Sequence, residues 1–236
     1  MKTDKVLLKS LTLKSDVKPV VSRITTWSKY ENSGGEFKNK LKVVNSDIIT
    51  EILNQQNRRA LALIFASAKS PGGGVRRGAV AQEEVFCAVS NALPLLEACE
   101  DFYKDNKKTK SKVYLDDALV ISNVTMFFDK YGVRTNNELV DAIFYPAPNR
   151  ALCDKKSAND ALNRRIKNII EYSNYHGYDS LIVGEWGTGV FGNDVGDVAS
   201  AFKDNIANYG GGLDILFTVY NSNNLEYYKN VFKGLL

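Results

Sequence analysis

Short apolar runs of strand length alternate along this chain with segments of helical periodicity, and this alternation is the feature that most limits its fold. The apolar runs include ALALIFAS at 60–67, SLIVGEW at 180–186 and LDILFTVYN at 213–221, and the longest helical pattern spans 155–175. Such alternation is typical of a sheet covered by helices on both faces. The 236 residues therefore predict a single α/β domain with three layers, α/β/α.

The first 38 residues differ from this pattern, since they are polar and lysine-rich and end in ENSGGEF. We expect them to form an arm that packs on a catalytic domain of residues 39–236 and carries no chemistry. Ser46 or Asp47 is expected to cap the helix that follows LKVV. Pro94 should kink or split the helical pattern at 82–103, and the prolines of FYPAPN should end a strand near Tyr145.

The small numbers of histidines and cysteines argue against several kinds of catalytic and metal site. The only histidine, His176, precedes Gly177 as at a helix end, where a cap or dipole partner is expected. One histidine and no cysteine cluster leave little for a zinc site, and no Gly-x-Ser-x-Gly turn supports a Ser-His-Asp triad. We expect neither a metal ion nor a cofactor.

Charge and cysteine content indicate the setting. The formal charge of +4 helps to attract an anionic ligand but does not indicate a nucleic-acid binder. Three cysteines without a CxxC pair fit a reducing compartment. We find no apolar run of membrane length and no secretory signal at the N-terminus, so we expect a cytoplasmic protein with no membrane contact.

Two strand exits are rich in glycine. Gly72, Gly73 and Gly74 follow the strand at 60–67, and the segment GTGVFGND follows the strand at 180–186. Glycine lets a ligand approach backbone N–H groups, which bind anions beside a helix N-terminus. Either loop alone could be only a tight turn, but two at equivalent places favour a phosphate-bearing ligand. The second loop lacks the Gly-Lys-Ser/Thr of a P-loop and comes too late for a dinucleotide fingerprint.

Glu83 and Glu84 follow the first glycine loop and begin a helix. Carboxylates in a first turn also stabilise a helix, so helix chemistry alone explains the pair about equally well. Glycosidases commonly use two carboxylates, but adjacent helical residues diverge by about 100° and cannot easily face each other across a bond. A division of labour fits better, in which one carboxyl acts at the bond and its neighbour holds sugar hydroxyls. A proton donor here would need a largely closed site that raises its pKa.

The segment SPGGGVRRGAVAQEEV at 70–85 resembles the signature of poly(ADP-ribose) glycohydrolases. FYPAPN, GEWGTGVFGND and KVVNSDIIT are similar to further segments of the microbial type of that family. The resemblance covers roughly residues 40–222 and leaves the arm outside. It implies a macrodomain-like fold with a mixed central sheet and an N-terminal extension, and hydrolysis that reverses ADP-ribosylation.

The resemblance also implies roles for individual residues. Glu84 would protonate the departing ribose oxygen and then activate water, and Glu83 would bind ribose hydroxyls. Asp47 would meet the adenine amine, and Phe191 would lie against the terminal ribose. Other substrate contacts are implied for Gly72, Gly73, Gly74, Gln82, Asn149, Gly187, Thr188, Gly189 and Val190. Arg76 and Arg77 are expected to be exposed loop residues, or to contact a second ADP-ribose unit or a modified protein.

The leading hypothesis is therefore a monomeric hydrolase that cuts the ribose–ribose O-glycosidic bond of poly(ADP-ribose) and releases ADP-ribose. One alternative is a hydrolase of mono-ADP-ribosyl proteins or of an ADP-ribose derivative, and another is a binding module without turnover. The expected partners are ADP-ribose, its polymer and ADP-ribosylated proteins, with no direct DNA readout. The basic run at 104–112 is expected to be a solvated loop. Nucleic-acid binding, which would depend on this run, is the hypothesis with the least support.

Overall fold

The computed structural model describes residues 3–55, 58–220 and 223–236, so Met1 and Lys2 of the predicted arm lie outside the described residues. The described strands are β1 (Val20–Ile24), β2 (Leu41–Val44), β3 (Ala60–Phe65), β4 (Ala118–Phe128), β5 (Arg134–Tyr145), β6 (Ser180–Gly184) and β7 (Asp214–Thr218). The described α-helices are α1 (Thr3–Ser10), α2 (Ile48–Asn54), α3 (Gln82–Val89), α4 (Ala92–Glu97), α5 (Glu100–Lys108), α6 (Lys155–Tyr175), α7 (Val195–Tyr209) and α8 (Leu225–Val231). Short 3₁₀ turns lie at Ser28–Tyr30 and Val75–Arg77.

The strands form one mixed sheet in the order β1-β4-β5-β3-β6-β7-β2. Strands β5, β3, β6, β7 and β2 are parallel neighbours, whereas β4 runs antiparallel to both β1 and β5. The predicted mixed central sheet is confirmed. Because β3 and β6 are adjacent and parallel, the two glycine-rich loops that follow them leave the sheet at the same edge.

Alternate residues of β3 enter two separate cores, one on each face of the sheet. Leu61 and Leu63 pack in a core with residues of α6, α7 and α8, whereas Ala62 and Ile64 pack in a core with residues of α1 to α5. This alternation follows from the two-residue period of a strand. Helices therefore cover both faces, and the predicted three-layer α/β/α arrangement is confirmed.

The helical pattern at 82–103 is divided into three helices, as the proline led us to expect. The first break comes at Ser90, whose backbone is extended and forms an isolated bridge with Met126. Pro94 then lies in the first turn of α4, where its missing N–H breaks no helical hydrogen bond. The expectation of a loop at 104–112 is wrong for its first half, because α5 continues to Lys108. Lys107 and Lys108 occupy the last turn, where cations interact favourably with the negative end of the helix dipole.

Residues of the N-terminal arm contact both a helix and the sheet. Helix α1 packs against α3, and β1 extends the sheet as an edge strand paired with β4. Trp27 stacks on Tyr145 with ring centroids 5.3 Å apart, and its Nε1–H donates to the carbonyl of Asp116 at 2.6 Å. The sequence patterns predicted neither α1 nor β1.

His176 ends α6, as its position before Gly177 predicted. The glycine has a φ of 65°, which closes the helix in the left-handed region. The imidazole packs among the rings of Tyr30, Tyr172 and Tyr175. Burial lowers the pKa of His176, and the charges of Arg59 and Lys29 lower it further.

The three cysteines are free thiols, with Cys87 buried and Cys99 and Cys153 half-buried. Burial raises the pKa of each of them, so all three are small protonated side chains at neutral pH. Within the described ranges, no helix has both the length and the apolar character needed to cross a bilayer.

Candidate active site

A groove runs along the carboxyl ends of β3 and β6 and contains two adjoining cavities. The carboxylate cavity, of about 340 Å³, holds Glu83 and Glu84, and the Asp47 cavity, of about 520 Å³, holds Asp47. Both cavities are lined by Phe65, Ala81, Gln82, Glu185 and Gly189. Another depression, of about 580 Å³ beside β1 and α5, contains none of the predicted site residues.

The glycine triplet forms a turn that only glycine accommodates easily. Gly72 and Gly73 have φ values of 61° and 59°, in the left-handed region. Gly73 and Gly74 line the carboxylate cavity. Gly72 does not line it, and a Cβ at Gly72 would lie 2.7 Å from Cδ1 of Leu93. This first glycine therefore allows the loop to pack on α4, a role that the sequence did not indicate.

Glu84 lies in the first turn of α3 and faces the carboxylate cavity, with only 9% of its surface exposed. The backbone N–H of Gly74 donates a hydrogen bond of 2.8 Å to Oε1 of Glu84. No hydrogen bond from a described residue reaches Oε2. One oxygen is thus fixed by the glycine loop, while the other is left for a ligand.

Glu83 is buried beside it, and both carboxyls approach Gly73 despite the divergence of adjacent helical residues. The Ser67 N–H donates to Oε2 of Glu83 at 2.8 Å, whereas Oε1 is buried with no partner among the described residues. Burial raises the pKa of Glu83 well above its ordinary value, and the charge of Glu84 adds to this rise, while the Ser67 and Gly72 backbones oppose it. Glu83 therefore keeps a proton at a pH where an exposed carboxyl is ionised.

The second glycine loop forms the opposite wall of the groove. Gly187 and Gly192 have φ values of 82° and 65°. The Asn193 amide donates to the carbonyls of Pro148 and Gly187, which fixes the loop to the end of β5. Gly187, Gly189, Val190 and Phe191 line the carboxylate cavity, and Thr188 lines the Asp47 cavity.

Asp47 caps helix α2 and also lies in the wall of its cavity. Its carboxylate accepts hydrogen bonds from the N–H and the hydroxyl of Thr50, and it pairs with Lys130 at 2.7 Å. Burial raises the pKa of Asp47, but the bonds from Lys130 and Thr50 outweigh burial and leave the pKa below its ordinary value. Asp47 therefore caps α2, as predicted, and lines a cavity at the same time.

Two predicted substrate contacts have structural partners of their own. The Gln82 amide accepts from the Phe65 N–H at 2.7 Å and donates to the Leu63 carbonyl at 3.3 Å, so it is hydrogen-bonded to the backbone of β3. Gln82 also lines both cavities. Asn149 lines neither cavity, because its side-chain oxygen accepts from the Ala151 N–H within its own turn. Asn149 supports the loop beside Phe191, since the next N–H, of Arg150, donates to the Phe191 carbonyl.

Several lining residues were not predicted. Glu185 and Trp186 lie inside the GEWGTGVFGND segment, so their position after β6 was a usable signal. Ser67, by contrast, acts through its backbone N–H, which no side-chain pattern reveals. Lys130 and Tyr131 belong to the turn between β4 and β5, and only the folded sheet brings that turn to Asp47. The Trp186 indole is fully buried and donates to the Tyr145 carbonyl.

This arrangement suits acid–base chemistry at a sugar–phosphate ligand. The second glycine loop lines both cavities, and its backbone provides a place where a diphosphate is favoured, whereas the Gly74 N–H of the first loop fixes Glu84. Two carboxyl groups share one cavity, and one has a free oxygen while the other keeps its proton. Groups of this kind are used in the cleavage of glycosidic bonds.

Comparison with known proteins gives a consistent result. A family model described as the catalytic domain of microbial-type PARG, or poly(ADP-ribose) glycohydrolase, matches residues 6–129. This match includes most of the N-terminal arm, which the motif resemblance had wrongly left outside. No curated protein sequence gave a match.

Solved structures of the same class superpose over most of the chain. The structure of poly(ADP-ribose) glycohydrolase from Deinococcus radiodurans in complex with ADP-ribose has a TM-score of 0.81 at 25% identity, covering 92% of this chain and 95% of that one. The enzyme from Thermomonospora curvata bound to the inhibitor ADP-HPD has a TM-score of 0.76 at 24% identity, covering 100% of this chain and 88% of that one.

Proposed function

Because the chain belongs to the family of microbial-type poly(ADP-ribose) glycohydrolase catalytic domains, we propose that its groove binds the terminal unit of poly(ADP-ribose) and that Glu84 acts at the scissile bond. The chain is a glycosidase of poly(ADP-ribose) with a macrodomain-like fold. The bond cleaved is the ribose–ribose O-glycosidic bond, and ADP-ribose is released. The observation that carries the role of Glu84 is its fixed Oε1 and free Oε2 inside the carboxylate cavity.

Glu84 acts as acid and then as base. In its protonated form it gives the proton to the bridging oxygen as the bond between that oxygen and the anomeric carbon breaks. The departing chain leaves with a hydroxyl, and positive charge develops on the remaining ribose. The Glu84 carboxylate then takes a proton from water, whose oxygen bonds to the anomeric carbon. This step completes ADP-ribose and restores the acid.

Glu83 holds the ribose in place for this reaction. Its buried Oε1 has no partner among the described residues, and an unsatisfied buried oxygen costs about 1–3 kcal/mol. A ribose hydroxyl entering the carboxylate cavity would satisfy that oxygen. Adjacent carboxyls thereby divide the work, with one positioning the sugar and the other transferring protons.

The two cavities accommodate the two ends of the ligand. Asp47 would accept the adenine amine in its cavity, and the ribose of the scissile bond would lie in the carboxylate cavity. The diphosphate would lie between them on the backbone N–H groups of the loop from Gly187 to Phe191, with Gly73 and Gly74 facing it across the groove. Gly189 borders both cavities and, as a glycine, leaves its N–H accessible.

The test is product analysis after incubation with poly(ADP-ribose), with Glu84→Gln run beside the wild type. We expect ADP-ribose release by the wild type and a fall in kcat of about 10²–10⁴ in the variant. Affinity for ADP-ribose should stay within about threefold, because glutamine keeps the Gly74 hydrogen bond. Glu97→Gln, on the surface of α4, is the matched control and should retain full activity.

Two results would contradict the proposal. A wild-type protein that binds the polymer and leaves it intact would be a binding module. A protein that releases ADP-ribose only from singly modified proteins would be a mono-ADP-ribosyl hydrolase.

A further inference from the structure

Two adjacent arginines near the glutamates have different environments. Arg76 forms two hydrogen bonds with Glu97, of 2.6 and 2.8 Å, so its charge is already paired. Arg77 lines the carboxylate cavity, and no carboxylate in the described part of the chain pairs with it. Its Nη2 and Oε1 of Glu84 each lie 3.7 Å from the position that a Cβ on Gly74 would take. An unpaired guanidinium therefore lies close to the reacting carboxyl.

The position of Arg77 along the groove indicates which anion it would meet. Arg77 lines the carboxylate cavity and does not line the Asp47 cavity. The diphosphate of the bound unit would lie between the two cavities, on the Gly187–Phe191 loop. Arg77 therefore lies at the end of the groove that would hold the scissile bond, opposite the Asp47 end, and a leaving polymer chain would extend from this end.

Lys69 is a second cation at the same opening. It is exposed between Ser67 and Ser70, which both border the carboxylate cavity. Its Nζ lies 5.6 Å from the centroid of the Tyr114 ring, and this ring in turn contacts Phe191. Among the described residues no carboxylate pairs with Lys69, so its charge is also available to a ligand.

The basic run that precedes Tyr114 adds to this positive field. Its exposed lysines other than Lys104 are Lys107, Lys108, Lys110 and Lys112. None of them forms an ion pair with a described residue. The run ends two residues before Tyr114, whose ring contacts Phe191 of the cavity wall, so these charges add at longer range to the attraction of a polyanion.

We propose that Arg77 and Lys69 bind phosphates of the polymer unit on the leaving side of the scissile bond, and so make the enzyme prefer a polyanionic leaving chain over a neutral leaving group. This inference rests on the proposed function. Guanidinium and ammonium groups bind phosphate oxygens by charge-assisted hydrogen bonds. The same cations would make little contact with an ADP-ribosyl group whose leaving group is uncharged.

The test compares two substrates, poly(ADP-ribose) and an ADP-ribose O-glycoside with an uncharged phenol as leaving group. We expect Arg77→Gln to lower the ratio of the two kcat/KM values, polymer over glycoside, by about tenfold, and Lys69→Gln to lower it by a smaller factor. The matched controls are Arg76→Gln and Lys104→Gln, which remove cations already paired with Glu97 and Glu100. The ratio should also fall with rising salt in the wild type, and less steeply in the double variant of Arg77 and Lys69.

Three outcomes would overturn this inference. An unchanged ratio in Arg77→Gln would show that the cation does not meet the leaving chain. A parallel loss of ADP-ribose affinity would assign the cations to the diphosphate of the bound unit. Competition by single-stranded RNA as strong as that by the polymer would indicate a general polyanion surface. Failure of the proposed function is distinguishable from all three, because the wild type would then leave the polymer intact.

Discussion

A methyl group on Gly73 would lie 2.3 Å from Oε1 of Glu84, closer than two unbonded atoms approach. The carboxyl of the proposed acid therefore occupies the space that any side chain at this position would need. The glycine triplet and the glutamate pair therefore form one unit. Gly74 supplies the hydrogen-bond donor to Glu84, and the missing side chain of Gly73 leaves space for the Glu84 carboxyl.

Gly73→Ala should remove activity while leaving the fold intact. The added Cβ displaces the Glu84 carboxyl, and the left-handed φ of 59° adds strain of about 1–3 kcal/mol. We expect kcat to fall at least about 100-fold, measured by ADP-ribose release. Gly78→Ala is the control, because Gly78 has a φ of 78° but open space around its Cβ. Equal losses in the two variants would show that backbone strain, and not the Glu84 contact, is responsible.

Glu83 should make stability decrease as pH rises. Burial raises the pKa of this carboxyl well above the ordinary 4.5, and the charge of Glu84 contributes, so the folded protein holds the proton more tightly than the unfolded chain. The contribution is complete below about pH 4.5 and is lost as pH rises through the raised pKa, by up to about 1.4 kcal/mol per pH unit. Urea denaturation should therefore show a weaker pH dependence for Glu83→Gln than for the wild type as pH rises above about 4.5. Parallel curves for variant and wild type would contradict this.

The Asp47–Lys130 pair should have the opposite pH dependence. Burial raises the pKa of Asp47, but the bonds from Lys130 and Thr50 lower it below the ordinary 3.8. The ionised carboxylate therefore stabilises the fold above about pH 3.8, and this stabilisation is lost as pH falls through the lowered pKa. Lys130→Met should raise the pKa of Asp47 and cost about 1 kcal/mol at pH 7, since solvent still reaches the lysine.

The loss in Lys130→Met should shrink as pH falls below about 3.8 and through the lowered pKa of Asp47, because a protonated carboxyl gains little from the lysine. Lys104→Met is the comparison, because Lys104 forms an exposed pair with Glu100 on one helix, so its loss of stability should be smaller than that of Lys130→Met at pH 7. A pH-independent loss in Lys130→Met would mean that packing of the lysine stem, and not its charge, supports the turn.

Trp27→Ala should destabilise the whole domain. The indole is half-buried, stacks on Tyr145 and donates to the Asp116 carbonyl, so its removal exposes a core tyrosine and leaves that carbonyl unpaired. We expect a loss of about 2 kcal/mol in the free energy of unfolding, measured by chemical denaturation. Val20→Ala, at an exposed position of β1, should cost less than about 0.5 kcal/mol. Similar small losses would mean that the arm is only loosely attached.

The layer order and much of the groove could be predicted from local patterns. The 21-residue helix α6 has the predicted bounds, because its apolar spacing and flanking residues are local signals. The glycine loops were placed after two buried strands, and the folded sheet sets those strands side by side. The roles of individual site residues stay predictions, as does the division of the chain at residue 38.

The features that sequence patterns missed depend on distant contacts. Strand β1 pairs with β4 about a hundred residues away, and alternation in a polar segment does not indicate such a partner. The motif around Asn149 implied a ligand contact, but its side-chain oxygen accepts a hydrogen bond from the Ala151 N–H. Lys130 reaches Asp47 because the folded sheet brings the turn between β4 and β5 to the Asp47 cavity. Proximity across the fold, rather than residue type, decides each of these cases.

The aromatic surroundings of His176 provide a spectroscopic reporter of the arm. Tyr30, which belongs to the N-terminal segment, contributes one of the rings against this sole imidazole. The ring protons of His176 should therefore give one resolved set of NMR signals, shifted by the neighbouring ring currents. Release of the arm would move those signals toward free-histidine values, so detachment could be followed at one site without any label.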